Sequence, residues 1–157
     1  MPTQDLPAIA RGIIDSNVYM TLGTADEQGR PWVSPVYYAV GAYTHYYWVS
    51  SPEATHSRNV AARRQVSIVI FDSRTPIGKA QAVYISGVAQ ELTGAELENG
   101  IEVFSRRSMT DVARQWTVDD VQPPALHRLY RATATEYSML DPVRHGVDSR
   151  TPISVFD

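Results

Sequence analysis

Short runs of β-branched and aromatic residues, separated by turn residues, are the feature that most constrains the fold of this chain. The strand-like runs are residues 18–24, 32–40, 46–49, 66–71, 82–92 and 129–140. Residues 26–31 and 41–45 can reverse the chain within a few positions, whereas parallel strands need a much longer crossover. The pattern predicts a mainly β fold with about six antiparallel strands, closed into a small barrel with helices outside it.

Helical periodicity is confined to a few stretches between the strands. Asp5 can cap a first helix, whose apolar residues recur at helical spacing until Asn17 ends it. From Thr93 the period is helical again, and residues 117–120 have the spacing of a capping box. Because strands and helices do not alternate strictly, a doubly wound parallel fold is disfavoured, and residues 1–157 are expected to form a single domain.

Two residues inside the strand-like runs predict local departures from regular pairing. Pro35 cannot donate to a strand ladder, so it marks an edge strand or a bulge. Backbone groups beside it would then be open to a flat polar ring, although Pro35 taken alone favours an ordinary protected edge. Gly87 predicts a bulge or the close approach of another group.

Composition removes several classes of function. With no cysteine, the chain cannot form disulfides or cysteine-ligated zinc sites, which fits a cytoplasmic protein. The histidines lack ligand spacing, so no metal site is expected; they are His45, His56, His127 and His145. A net charge of -3 does not favour a nucleic-acid partner. No signal peptide is recognisable and no apolar run approaches the roughly 20 residues that cross a bilayer, so no membrane association is expected.

The segment from Ser50 to Arg58 is the best candidate for a binding site. An aromatic strand ends in Ser50 and Ser51, Pro52 suits the first position of a helix, and His56, Ser57 and Arg58 follow. The first amides of a helix lack partners and carry partial positive charge, so a phosphate would be favoured there. An ordinary capped helix between two strands is an equally good interpretation of this segment alone.

The chain resembles a known family along nearly its whole length. The ordered segments are Gly29-Arg30-Pro31-Trp32-Val33-Ser34-Pro35-Val36-Tyr37, the aromatic strand ending in Ser50-Ser51, His56-Ser57-Arg58-Asn59, Val66-Ser67-Ile68 and Ala82-Val83-Tyr84-Ile85-Ser86-Gly87-Val88-Ala89. Together they resemble the pyridoxamine 5'-phosphate oxidase-like, flavin-binding split-barrel proteins. This resemblance implies a six-stranded antiparallel split β-barrel with flanking helices, a homodimer, and FMN in a groove between the two subunits.

The resemblance also implies which residues would hold FMN. Lining the isoalloxazine ring would be Trp32, Val33, Ser34, Pro35 and Val36. Bordering the ribityl chain and the phosphate would be Val49, Ser50 and Ser51, and clamping the phosphate would be Thr55, His56, Ser57 and Arg58. Gln81 or Ala82 would approach the ring, at a position where relatives often have glutamine.

The chain departs from the pyridoxamine phosphate oxidases proper in two places. They have an Arg-Lys pair where this chain has Thr55-His56, and residues 141–157 lack their arginine- and tryptophan-rich end. We therefore expect an FMN-dependent oxidoreductase that acts on another small molecule, with no catalytic side chain assigned. The alternatives are a deazaflavin-dependent reductase and a flavin-binding sensor or storage module without turnover.

Overall fold

The computed structural model describes residues 4–140 and 150–155. Within them the helices are α1 (Leu6–Ser16), α2 (Thr55–Ala62) and α3 (Gly94–Val112), with a single 3-10 turn at Val118–Val121. The strands are β1 (Tyr19–Ala25), β2 (Pro31–Tyr37), β3 (Ala39–Gly41), β4 (His45–Ser50), β5 (Gln65–Phe71), β6 (Ala82–Glu91), β7 (Arg128–Leu140) and β8 (Arg150–Ile153).

All eight strands belong to one antiparallel sheet, in the order β2-β1-β5-β6-β7-β4-β3, with β8 paired to β7. The sheet curls into a half-barrel, which brings β2 at one edge into contact with β4 near the other. The predicted mainly β, antiparallel split-barrel architecture with flanking helices is therefore confirmed.

The described residues form eight strands rather than six, for two reasons. The predicted run 32–40 is divided at Tyr38, whose buried ring enters the core and whose hydroxyl donates to the backbone carbonyl of Ile14 in α1. The residues before Tyr38 pair with β1 and those after it pair with β4. The second reason is β8, in a segment where the sequence shows no period. His145 lies outside the described residues.

The sheet packs against helices on two sides. The main core lies between α1, α2 and the inner face of the sheet, where Trp48 stacks on Tyr130 with ring centroids 5.7 Å apart. A second apolar cluster lies under α3, where Leu97, Ile101 and Phe104 bury the predicted helical stripe. Burial alternates along β1 and β5, as expected for strands with one face in the core.

Several local predictions from the sequence are confirmed. Asp5 caps α1 through an Oδ1 that accepts from the Ala8 amide at 3.1 Å, and Asn17 ends the helix. The capping box is present, since Asp120 accepts from the Thr117 amide at 2.8 Å. The register shifts at Gly87, where an added Cβ would lie 2.8 Å from the carbonyl oxygen of Thr133.

The prediction for Pro52 is wrong. Helix α2 begins at Thr55 with Ala54 as its N-cap, three residues after the position expected from the proline. The reason is a turn that Ser51 builds, since its hydroxyl accepts from the Glu53 amide at 3.1 Å and its carbonyl accepts from the Ala54 amide at 3.1 Å. Pro52 therefore belongs to the turn before the helix.

The two ends of the sheet leave strand edges open. As predicted from Pro35, β2 is an edge strand, paired only with β1 among the described strands. At the other end, β3 covers only residues 45–47 of β4, so Trp48, Val49 and Ser50 pair with β7 on one side alone within the described residues. The open edges of β2 and of the end of β4 come together where α2 crosses between them.

Among residues 4–140 and 150–155, no helix combines the length and the apolar character that crossing a membrane would require.

Candidate functional site

The imidazole of His56 joins three elements at the seam between the open strand edges. Its Nδ1 lies 3.0 Å from the hydroxyl of Ser34 on β2, and its Nε2 lies 2.7 Å from the hydroxyl of Ser50 at the end of β4. His56 itself lies in the first turn of α2. We call Ser34, His56 and Ser50 the His56 bridge. Each of these residues was predicted as a cofactor contact, and the structure brings them together.

The protonation state of His56 determines what the two serines can offer a ligand. The ring is half-buried, and this burial lowers its pKa from the ordinary value of 6.5, so the neutral form dominates at about pH 7. A neutral imidazole has one donor and one acceptor nitrogen. One serine therefore donates to the ring, and the other accepts from it and keeps its hydroxyl hydrogen for another partner.

The start of α2 adds backbone donors beside the bridge. Ala54 at the N-cap makes no side-chain cap, and the first turn contains no acidic residue. The amides of Thr55, His56 and Ser57 lie in this first turn, where no intrahelical acceptor precedes them. The partial positive charge of the helix end reinforces the bridge as a place for an anion.

A buried contact fixes α2 against the β1–β2 hairpin. Asn59, which is 6% exposed, donates from Nδ2 to the Thr24 hydroxyl at 3.0 Å. The Thr24 hydroxyl in turn donates to the carbonyl of Trp32 at 3.5 Å. This contact holds the helix that carries His56 at a set position relative to the strand that carries Ser34. Sequence reasoning missed its role, because it depends on the placement of α2 over β1.

The other predicted phosphate residues have different surroundings. Arg58 forms an ion pair with Glu53 at 2.5 Å, and both side chains are mostly exposed, at 67% and 77%. Ser57 is buried and faces a separate cavity of about 330 Å³, which it shares with Tyr130. Neither Arg58 nor Ser57 is hydrogen-bonded to the bridge. Thr55 and Ser51 lie close to it in sequence, at the start of α2 and in the turn before it.

The predicted ring contacts on β2 divide between the two faces of the strand. Ser34 and Val36 pair with buried Leu22 and Met20 and so lie on the inner face. Trp32 shares that face but lies near the end of the strand, 49% exposed. Val33 and Pro35 lie on the outer face, where Val33 is 62% exposed. A flat ligand along the open edge of β2 would therefore meet the Ser34 hydroxyl between apolar side chains on the inner face and a purely apolar surface, Val33 and Pro35, on the outer face.

Gln81 and Ala82 lie away from the bridge within one chain. Ala82 begins β6, pairs with Phe71 and Leu140, and lies on the outer face of the sheet with β5 and β1 between it and β2. The Nε2 of Gln81 is buried and has no hydrogen-bond partner among the described residues. The structure thus does not unite these two predicted contacts with the His56 bridge in a single copy.

One cation near the bridge was not predicted. Arg128 on β7 is the cross-strand partner of Ser50, and its Nη1 donates to the carbonyls of Ala125 and His127 at 2.6 and 2.7 Å. Only the register between β4 and β7 reveals this neighbour, and no local sequence signal does. In residues 4–140 and 150–155, no group of three His, Asp or Glu side chains is placed to hold a metal ion.

Comparison with known proteins gives a family match and several fold neighbours. The family model described as pyridoxamine 5'-phosphate oxidase matches residues 6–141, and no curated protein matches the sequence. A heme binding protein from Mycobacterium smegmatis is similar in structure, with a TM-score of 0.72 and 19% identity over 99% of this chain and 61% of that chain. The present chain therefore spans about three fifths of that neighbour's length.

Two further solved structures share the fold. The heme storage protein HutZ from Vibrio cholerae has a TM-score of 0.69 and 20% identity over 88% of this chain and 95% of that chain. A candidate 5-nitroimidazole antibiotic resistance protein from Bacteroides thetaiotaomicron has a TM-score of 0.68 and 14% identity over 84% of this chain and 81% of that chain. At these identities the likeness concerns the fold alone.

Proposed function

The chain belongs to the pyridoxamine 5'-phosphate oxidase family, and from this premise we propose that it is an FMN-dependent oxidoreductase acting on a small molecule. The observation that carries the proposal is the His56 bridge. It places two hydroxyl groups and the start of a helix at the seam between two open strand edges. This seam lies within the segments that the family resemblance assigns to the cofactor.

The residues present fit a phosphate without the Arg-Lys pair of the oxidases proper. His56 fixes Ser34 and Ser50, and the serine that accepts from the neutral ring can donate its hydroxyl hydrogen to a ligand, while the first amides of α2 supply further donors. Donors that are already oriented lose little freedom when a ligand binds. In the proposed complex, His56 stands where the lysine would be and acts through the two serines.

The edge strands fit a flat ring with polar edges. An edge strand presents a row of N–H and C=O groups, and β2 has such an edge next to the half-exposed Trp32. When bound, a flavin supplies hydride-transfer chemistry. The protein would bind and orient it, with Trp32 excluding water from part of the site, and no side chain is assigned as an acid or a base.

A second copy of the chain, packed on the outer face of the sheet, would add residues to the site. Tyr19, Val33 and Phe71 are 64%, 62% and 44% exposed, and the strand register places all three on this face. Large apolar side chains exposed together mark an interaction surface. A homodimer across this face would cover them and would bring one copy's Gln81 and Ala82 closer to the other copy's β2.

Two other ligands are alternatives to FMN. A deazaflavin would use the same phosphate site and ring groove. Haem is suggested by the named neighbours from Mycobacterium smegmatis and Vibrio cholerae. Both ring nitrogens of His56 face serine hydroxyls, so coordination of haem iron by His56 would break one of these contacts, and the bridge itself favours a phosphate ester. A flavin-binding sensor or storage module without turnover is the remaining alternative.

Titration of the purified protein with flavins tests the proposal. We expect FMN to bind with quenched fluorescence, riboflavin to bind more weakly, and sedimentation to show a dimer. A higher affinity for a deazaflavin phosphate would favour the reductase, and a haem Soret band without FMN binding would overturn the flavin assignment. Repeated reoxidation of the photoreduced protein by an added acceptor would distinguish an enzyme from a storage module.

We also propose a cytoplasmic location, in keeping with the lack of cysteine in the sequence.

A further inference from the structure

We propose that His56 takes up a proton when a phosphate ester binds at the bridge, which makes His56 the residue that selects phosphorylated over unphosphorylated flavins. The inference rests on the proposed function, because it places the cofactor phosphate beside Ser34 and Ser50. It adds a role for this chain's own histidine at the position where the oxidases proper have a lysine.

Counting hydrogen-bond donors shows what the proton changes. In the neutral bridge one ring nitrogen accepts from a serine, so only one of the two hydroxyl hydrogens can reach a ligand. A protonated imidazole donates from both nitrogens, so Ser34 and Ser50 both accept from it and both hydroxyl hydrogens are released. The protonated bridge thus offers a phosphate two oriented hydroxyl donors and one positive charge.

The ligand's charge drives the proton uptake. Without a ligand, burial lowers the pKa of His56. A phosphate dianion within a few ångströms favours the charged imidazole and so raises this pKa in the complex. Because the pKa is higher in the complex than in the free protein, affinity is strongest at low pH and falls as the pH rises through the value in the complex.

The other titratable groups on the elements around His56 do not compete with it for the proton taken up on phosphate binding. None of them is hydrogen-bonded to the His56 ring within residues 4–140 and 150–155, and most have other partners. These pairs are Arg58 with Glu53, Arg30 with Asp26, Arg63 with the carbonyl of Glu27, Tyr37 with Asp111, Tyr46 with Tyr137, Arg64 with Gln90 and Arg128 with the carbonyl of Ala125. Tyr19 lies on the outer face of β1, Glu91 ends β6 in an exposed position, and His45 and Tyr47 alternate with Tyr46 and Ser50 along β4.

The ligand's own titration must be separated from that of His56. A phosphate monoester loses its second proton at a pKa of about 6, so FMN becomes less negative as the pH falls. This change weakens binding at low pH in every variant alike. It does not occur for riboflavin, which lacks the phosphate, and the two contributions can therefore be separated by comparing ligands and variants.

The experiment measures dissociation constants of FMN and riboflavin from about pH 6 to about pH 8.5 for the wild type, His56→Gln and the exposed-histidine control His127→Gln. Calorimetry in two buffers of different ionisation enthalpy counts the protons taken up for each FMN bound. We expect the wild type and His127→Gln to prefer FMN, with a preference that falls by up to tenfold per pH unit as the pH rises, the limit for one linked proton. His56→Gln should lose most of this pH dependence and take up fewer protons.

Each outcome decides between the two proposals. If FMN binds but wild type and His56→Gln take up equal numbers of protons and prefer FMN equally at every pH, the inference is overturned and the FMN assignment stands. If neither flavin binds the wild type at any pH, both fail. Should His56→Gln not fold, the proton count on the wild type decides alone, because one proton more for FMN than for riboflavin above about pH 7.5, where the free phosphate is already a dianion, requires a group on the protein.

Discussion

His56 and Arg58 are two residues apart on the same helix, and their surroundings are opposite. His56 is half-buried, is uncharged at neutral pH and is held by hydroxyls from two strands. Arg58 is always charged, is mostly exposed and is paired with Glu53. An exposed ion pair contributes little, whereas hydrogen bonds in a partly buried site are less screened by water. In this segment, the position of a side chain therefore decides its contribution more than its formal charge does.

The largest expected effect comes from removing the imidazole. His56→Ala removes two hydrogen bonds, so the hydroxyls of Ser34 and Ser50 must bond to water instead. We expect the free energy of unfolding to fall by about 1–3 kcal/mol, the sum of two ordinary hydrogen bonds, and FMN binding to weaken. Urea unfolding of the purified protein measures the first effect. Unchanged stability would mean that the imidazole does not hold β2, α2 and β4 together.

A double-mutant cycle on Ser34 and Ser50 measures whether their two bonds to His56 depend on each other. Ser34→Ala and Ser50→Ala each remove one bond to His56, so each should lower the free energy of unfolding by about 0.5–1.5 kcal/mol. Because both bonds share one ring, the double variant should differ from the sum of the single variants by about 0.5 kcal/mol or more. Strict additivity would show that the two bonds form independently. Ser51→Ala is the matched control, because it removes a serine hydroxyl from the turn before α2 that makes no bond to His56.

Acidification should affect the two residues differently. Burial lowers the pKa of His56, so the unfolded chain binds a proton at a higher pH than the folded protein does. The resulting stability is fully present above the unfolded value of 6.5 and is lost as the pH falls through the lower folded value. The pKa of His45 is lowered as well, mainly by burial and secondly by the positive charge of Arg131. His56→Gln should therefore reduce the loss of stability between about pH 7.5 and about pH 5.5, and His45→Gln should reduce the remainder.

Arginine side chains do not titrate in this range of pH, so the variant Arg58→Ala serves as the internal reference. Unfolding curves of Arg58→Ala should show the same dependence on pH as those of the wild type. If the pH dependence of stability disappeared in Arg58→Ala and persisted in His56→Gln, the Arg58 side chain and not His56 would account for it.

Much of the fold is predictable because its signals are local. The turns between strand-like runs predict antiparallel neighbours, and Pro35 predicts an edge strand or a bulge, because a missing amide is tolerated at either place; the structure shows an edge strand. Gly87 predicts the bulge, because another backbone carbonyl approaches it closely. The division at Tyr38 is not local in this sense. It depends on the carbonyl of Ile14, more than twenty positions earlier, which the ring reaches only after α1 packs on the sheet.

The site is predictable as a set of residues but not as an arrangement. Ser34 and His56 are 22 residues apart, and they meet only because the sheet curls until β2 approaches β4. The family resemblance assigned Ser34 to the ring and Ser50 to the border of the ribityl chain and the phosphate, and the structure joins both to one imidazole. Arg128 beside Ser50 could not be found without the β4–β7 register. Such partners depend on long-range pairing, which no short stretch of sequence contains.

The smallest expected effect is that of Arg58→Ala. Because the guanidinium and its partner Glu53 are both mostly exposed, we expect a change in the free energy of unfolding of no more than about 0.5 kcal/mol. Its contribution to FMN affinity should be similarly small at about 0.15 M salt, where surface charges are screened beyond roughly 8 Å. Glu53→Gln, which breaks the same pair from the other side, is the matched control. The opposite result would be that Arg58→Ala weakens FMN binding more than His56→Ala does, while Glu53→Gln strengthens it. In that case Arg58 would bind the phosphate in place of Glu53, and the anion site would lie at Arg58 instead of at the His56 bridge.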